Sequence, residues 1–161
     1  FSALSGKRYD KIHKLCYPIL NLPYIDKYKN SAKSVGKCTK IIENSCLFYG
    51  STLEGRRKGT ESMIGVRYKA PIIIEESNEL IFFPTASTKA NKSAWILLSA
   101  VKNYYVDNNI LILELYNRQK IYLNYSYGVI DNQILRSTRL ESTLRGRKNA
   151  KKRFNQGLDM V

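Results

Sequence analysis

Histidine is nearly missing from this 161-residue chain, where His13 stands alone beside three cysteines, Cys16, Cys38 and Cys46, that form no C-x-x-C pair. A closed zinc site takes about four Cys or His ligands with local pairing, so no structural metal is expected. Nucleophilic catalysis through Cys or Ser would rest entirely on His13, in an N-terminal segment of little periodicity. Carboxylates are sparse too. Glu75, Glu76 and Glu79 form the tightest group, beside a turn where solvated charge is their ordinary role. An enzyme is therefore the weakest class and no cofactor is expected; a metal-dependent nuclease using carboxylates and lysine is its residual form. No apolar run approaches the ~20 residues of a membrane span, and residues 1–10 lack the apolar core of a secretory signal. These absences favour a soluble, cytoplasmic protein without a membrane partner. Cys46, set between Ser45 and Leu47-Phe48, reads as a small buried hydrophobe.

Positive charge is what the chain has in excess. Lys and Arg number 27 against 13 Asp and Glu, a formal net charge of +14 with a pI near 9.7. Such an imbalance adds self-repulsion to the folded state and points to a polyanionic partner, nucleic acid ahead of an anionic membrane face. Twelve tyrosines amid many Ile, Lys and Asn also fit the codon usage of an A/T-rich genome. Hydrophobic residues at 43% are too many for a disordered chain. The length suits one domain, divided here into an irregular segment, residues 1–36, and a folded unit, residues 37–161.

The chain reads as α+β, a mostly antiparallel sheet built from hairpins with a short basic helix and a longer basic C-terminal helix. Leu15 to Tyr24 could form an edge strand interrupted by Pro18 and Pro23. Lys40 to Tyr49, ending in Cys46-Leu47-Phe48-Tyr49, has the composition of a strand. Gly50, Ser51 and Thr52 then supply a turn and a helix N-cap for a helix over Ser51 to Ile64. Inside it Gly55 and Gly59 bracket Arg56, Arg57 and Lys58, and each glycine costs about 1 kcal/mol relative to alanine. Close approach of the backbone to a nucleic-acid strand would offset that cost, with the three cations beside phosphates or in a narrow groove. The alternative is tight packing of the helix on a sheet with its cations solvated.

Pro71 to Glu76 and Glu79 to Phe83 make a hairpin with Ser77 and Asn78 at the bend, dense enough in Ile and Phe to be buried on both faces. Pro84 to Lys92 reads as a loop in which Thr85, Ser87 and Lys89 could meet phosphate or base edges, or simply be solvated. Trp95 reads as a core anchor opening an apolar stretch to Val101. Ile110 to Tyr116 and Lys120 to Tyr125 form a second hairpin, each strand with one better-buried face. Tyr104, Tyr105, Tyr122, Tyr125 and Tyr127 could stack on bases but more often cover the edge of a core. From Val129 the period turns helical. Ile130, Ile134, Leu140 and Leu144 share a face, flanked by Arg136, Arg139, Arg145 and Arg147, with Asn132 and Gln133 near the start. Lys148 to Arg153 reads as a frayed basic tail that adds salt-sensitive affinity.

Several of these pieces together resemble one family, the competence transcription factor ComK of Gram-positive bacteria: S-C-L-F-Y-G-S-T-L-E-G-R-R (Ser45 to Arg57), K-A-P-I (Lys69 to Ile72), F-F-P-T-A-S (Phe82 to Ser87), Trp95, and N-Y-S-Y (Asn124 to Tyr127) followed by Asn132 and Gln133. They occur in the family's order, so that the resemblance spans roughly residues 36 to 147. It implies a DNA-binding activator of competence genes that reads paired A/T-rich boxes mainly through the minor groove, binds as a dimer or higher oligomer, and helps recruit RNA polymerase. It also implies a tail used by an adaptor of the ClpC protease, an expectation weakened by an ending at Val161 in G-L-D-M-V. Arg56 and Arg57 fall on the motif and lead the expected contacts, with Lys58 next and Ser51, Thr85, Ser87, Asn132 and Gln133 as positioning groups. Lys89, Arg136 and Arg139 rest on charge. The alternative is a general basic protein that binds RNA or DNA without choice and without an activator role; a third class is an interaction protein that binds no nucleic acid.

Overall fold

A computed structural model describes residues 35–86 and 94–158. Element order is α1 (Val35–Phe48), α2 (Leu53–Ile64), β1 (Ile72–Glu75), β2 (Leu80–Pro84), β3 (Trp95–Leu97), a single 3-10 turn at Leu98–Ala100, β4 (Val101–Asp107), β5 (Ile110–Leu115), β6 (Lys120–Leu123) and α3 (Tyr127–Leu158). The possible edge strand at Leu15 to Tyr24 lies outside the described residues, as do His13, Ser87 and Lys89.

The expected strand over Lys40 to Tyr49 is instead the second half of a helix. Ile42, Ser45 and Cys46 are buried and Tyr49 packs against the core, a spacing of three, four and seven residues that belongs to a helical face. Leu47 is 59% exposed, where a strand would have buried one of every two side chains. A β-favouring composition has yielded to a partner that fits the helical stripe. Burial raises the Cys46 thiol pKa, opposed by nearby Arg56, in keeping with a small hydrophobe.

The corner after α1 follows its residues. Gly50 takes φ +73°, which a side chain would resist; its N–H donates to the Leu47 carbonyl at 3.1 Å and that of Ser51 to Cys46 at 2.9 Å, closing the helix. Thr52 caps α2, its hydroxyl accepting from the Gly55 N–H at 2.9 Å, and Gly65 at φ 72° ends it. Leu53, Thr60 and Ile64 are the buried side of α2.

Six strands form two three-stranded antiparallel sheets, β1-β2-β3 and β4-β5-β6. The first hairpin pairs Ile72 with Phe82 and Ile73 with Ile81, and both strands are buried on both faces as their Ile and Phe content requires. Ile73 and Ile81 meet Ile64 of α2 and Leu140 and Leu144 of α3. Ile72, Ile74 and Phe82 belong to the larger core with Ile42, Trp95, Leu111, Leu113 and Ile130. Trp95 is fully buried as an anchor, and the 3-10 turn breaks what would be one strand into β3 and β4. The second hairpin pairs Leu113 with Ile121 and Ile112 with Tyr122. Helix α3 is regular through Leu158, so Lys148 to Arg153 is helical rather than frayed; residues 149–157 are exposed.

Candidate nucleic-acid interface

Helices α2 and α3 pack side by side and run in opposite directions. Near the start of α2, Arg56 faces Glu76, whose backbone carbonyl accepts from Lys148 late in α3. Past the end of α2, the carbonyl of Lys69 accepts from Gln133 early in α3 at 3.1 Å. The β1-β2 turn thus occupies one end of the helix pair and the segment 66–71 the other.

The three cations of α2 are not displayed alike. Lys58 is exposed. The Arg56 side chain is only 17% exposed, its Nη1 3.7 Å from the Glu76 carboxylate, and its buried Nε meets no polar partner among the described residues. Arg57, 30% exposed, lies 4.0 Å from Glu54 of its own helix. The arginines therefore lean on carboxylates of the same chain rather than pointing freely outward. Both contacts are long. The Arg57 pair, with its carboxylate 66% exposed, is of a kind worth about 0–1 kcal/mol and would yield to an arriving phosphate at little cost, whereas Arg56, most of its side chain buried, would have to swing outward to meet one.

Of the carboxylates at the turn, expected to be merely solvated, Glu76 is exposed but Glu75 and Glu79 have structural tasks. Glu75 accepts from the Ser77 and Asn78 backbone N–H groups, the latter at 2.8 Å, and closes the turn; burial raises its pKa, but these hydrogen bonds outweigh that and hold it low. Glu79 takes two hydrogen bonds from Arg145, at 2.9 and 2.7 Å, with Lys148 3.6 Å away. The hydrogen bond from Arg145 is the leading reason the Glu79 pKa is lowered. Arg145 also reaches Glu141 at 3.1 Å. Two of the flanking cations of α3 are thereby neutralised within the fold.

On the outer side of α3, Asn132 and Arg139 are exposed and Arg136 is half-buried, a stripe at i, i+4 and i+7. Further along, Arg147, Lys151, Lys152 and Arg153 are exposed and form no ion pair with another described residue. Ser51, half-buried, lies at the corner before α2, its Oγ 3.3 Å from where a Cβ on Gly55 would stand, with Thr52 Oγ1 at 3.1 Å. Among the described residues a Cβ on Gly59 would meet nothing within 4 Å, so packing against them does not account for that glycine.

Two residues read as surface hydrogen-bonding groups are turned inward. Thr85 is fully buried, accepting from the Ala94 N–H at 3.1 Å while its own N–H donates to the Ala94 carbonyl at 2.9 Å. It extends the pairing of β2 with β3 past Pro84. Gln133 is buried and its amide donates to the carbonyls of Lys69 and Pro84. In this arrangement neither side chain can touch a phosphate; each fastens motif segments to one another. The tyrosines divide similarly. Tyr104 donates to Asp131 at 2.7 Å, which raises its pKa, and stacks on Tyr127 at 5.3 Å, covering the start of α3, whereas Tyr122 faces solvent. Among the described residues no group of His, Cys, Asp and Glu could hold a metal ion, and no helix is long and apolar enough to cross a membrane.

A family model described as ComK protein matches residues 23–149, most of the chain. Among curated proteins the chain is similar to the competence transcription factor of Bacillus subtilis (strain 168), 30% identical over 115 residues that cover 69% of this chain and 58% of the relative. The chain therefore spans little more than half of that relative's length. No solved structure matches.

Proposed function

The chain belongs to the ComK family, and from that premise we propose that it is a non-enzymatic, cytoplasmic DNA-binding activator of competence genes that reads A/T-rich boxes largely through the minor groove. The observation that carries the reading is the pair of antiparallel basic helices, α2 with Lys58, Arg57 and an open Gly59, α3 with Asn132, Arg136 and Arg139. A narrow A·T-rich groove is strongly negative and attracts arginine without a major-groove code, so groove width and deformability would carry the choice of sequence. The family implies partners as well: a second copy on DNA, RNA polymerase, and an adaptor of the ClpC protease. Residues 37–161 act as the single DNA-binding domain in this reading. In this reading Lys58 and Lys89 serve as contacts and Ser51 and Ser87 as positioning groups, while Thr85 and Gln133 become supports.

A competition among A/T-rich duplex, G/C-rich duplex and structured RNA tests it. The wild type should hold A/T-rich duplex against both rivals, and the double variant Arg56→Ala, Arg57→Ala should lose that preference while its circular dichroism spectrum is kept. Equal binding to all three probes by the wild type would instead favour the general basic protein.

A further inference from the structure

At one end of the pair of basic helices, the segment 66–71 is more firmly fixed than an ordinary connection. Lys69 adopts φ +49°, a left-handed conformation that costs a branched or long side chain about 1 kcal/mol or more. Three side chains hold the strained turn in place by its carbonyls: Arg136 Nη1 donates to Tyr68 at 3.2 Å, Gln133 Nε2 to Lys69 at 3.1 Å and Thr60 Oγ1 to Pro71 at 2.7 Å. Ala70 and Pro71 beside it are buried. Yet Tyr68, at the centre of this bracing, is 67% exposed. The Lys69 ammonium lies over its ring, 5.5 Å from the centroid. An aromatic side chain held outward by strain and three hydrogen bonds gains nothing for the core. Strain of this kind persists where a surface must be presented in one orientation.

We propose that Tyr68 is a DNA contact: the ring packs its open face on a deoxyribose while the Lys69 ammonium meets the adjoining phosphate. The chemistry fits a sugar–phosphate unit, an apolar ring edge beside an anion, better than a base edge, since the turn offers no side-chain amide to read one. Arg136 ties the contact to α3: its guanidinium holds the Tyr68 carbonyl while Arg139, one turn on, stays exposed. The inference rests on the DNA-binding reading above and adds to it a contact that carries no ion pair with a carboxylate among the described residues, unlike Arg56 and Arg57.

Titration of wild type, Tyr68→Ala, Tyr68→Phe and Lys69→Gln on one A/T-rich duplex, at several salt concentrations, tests it. Because Tyr68 is exposed, its variants should melt with the wild type. Tyr68→Ala should bind about tenfold more weakly, the loss expected of one aromatic anchor at an interface, while Tyr68→Phe keeps wild-type affinity because the ring and not the hydroxyl makes the contact. Lys69→Gln should lower the slope of log affinity against log salt by about one, as for one phosphate contact removed. Wild-type affinity in Tyr68→Ala, beside a wild type that binds the duplex, overturns the inference and leaves the DNA-binding reading standing. A wild type that shifts no duplex at low salt overturns both.

Discussion

Gln133 carries more of the site than any cation, though it touches nothing outside the chain. Its amide joins the carbonyl of Lys69 to that of Pro84, 64 and 49 residues away in sequence. Replacing it by leucine would take this donor from the buried Pro84 carbonyl, at about 1–3 kcal/mol, and from the partly buried Lys69 carbonyl at less. Gln133→Leu should therefore lower the midpoint of chemical denaturation markedly, and Gln133→Ala should do so as well; wild-type midpoints would show that the clamp is dispensable. Gly59 presents the opposite case. Gly59→Ala should stabilise α2 by about 1 kcal/mol, since the methyl meets open space, and should weaken binding to A/T-rich duplex if the backbone there approaches DNA. A melting curve and a binding curve on the same preparation would separate the two effects. Gly59 was visible in sequence as an unexplained cost, whereas the inward turn of Gln133 and Thr85 was not: amide and hydroxyl residues near a basic run look alike whether they face solvent or a carbonyl.

The elements were legible wherever local chemistry and burial agreed. Both hairpins follow from apolar runs separated by polar bends, though β5 buries Ile112 along with Leu111 and Leu113 where one better-buried face is expected, and the start of α2 follows from Gly50, Ser51 and the Thr52 cap. Strand β4 carries a local signal in its turn: Asn108 and Asn109, both at positive φ, form the two-residue bend that joins Asp107 to Ile110, and Asn is among the few residues that accept such a turn. Helix α1 was misread as a strand because Cys-Leu-Phe-Tyr is locally ambiguous, and only the stripe of Ile42, Ser45, Cys46 and Tyr49 against the core resolves it. The junction of the first hairpin with α3 carries a pH dependence. Glu79 has a lowered pKa in the fold, first through its hydrogen bond from Arg145, so its ion pair contributes fully above the ordinary carboxylate value of 4.5 and is lost as pH falls through the lowered folded value. Glu79→Gln should flatten the acid denaturation profile between 4.5 and that lowered value; an unchanged profile would mean that the pair contributes nothing to stability.

For the whole molecule, the charge of +14 sets the reach of the interaction more than its selectivity. If about six phosphates are engaged, affinity should fall by ~10³-fold or more between 50 and 200 mM salt; a nearly flat salt response would remove the phosphate backbone from the interface. That charge follows from composition alone, and the antiparallel hairpins, the basic C-terminal helix and each piece of the family motif from the order of residues, because each of these depends on neighbours a few positions apart. Which cations remain available was decided only by the tertiary structure. Folding brings Glu76 to Arg56 and Glu79 to Arg145 and Lys148, pairs separated by 20 to 69 positions, and it turns Tyr68 outward at one end of two helices that no local pattern places side by side. Charge is counted along a chain, but the field it produces depends on distances in space, which packing alone sets.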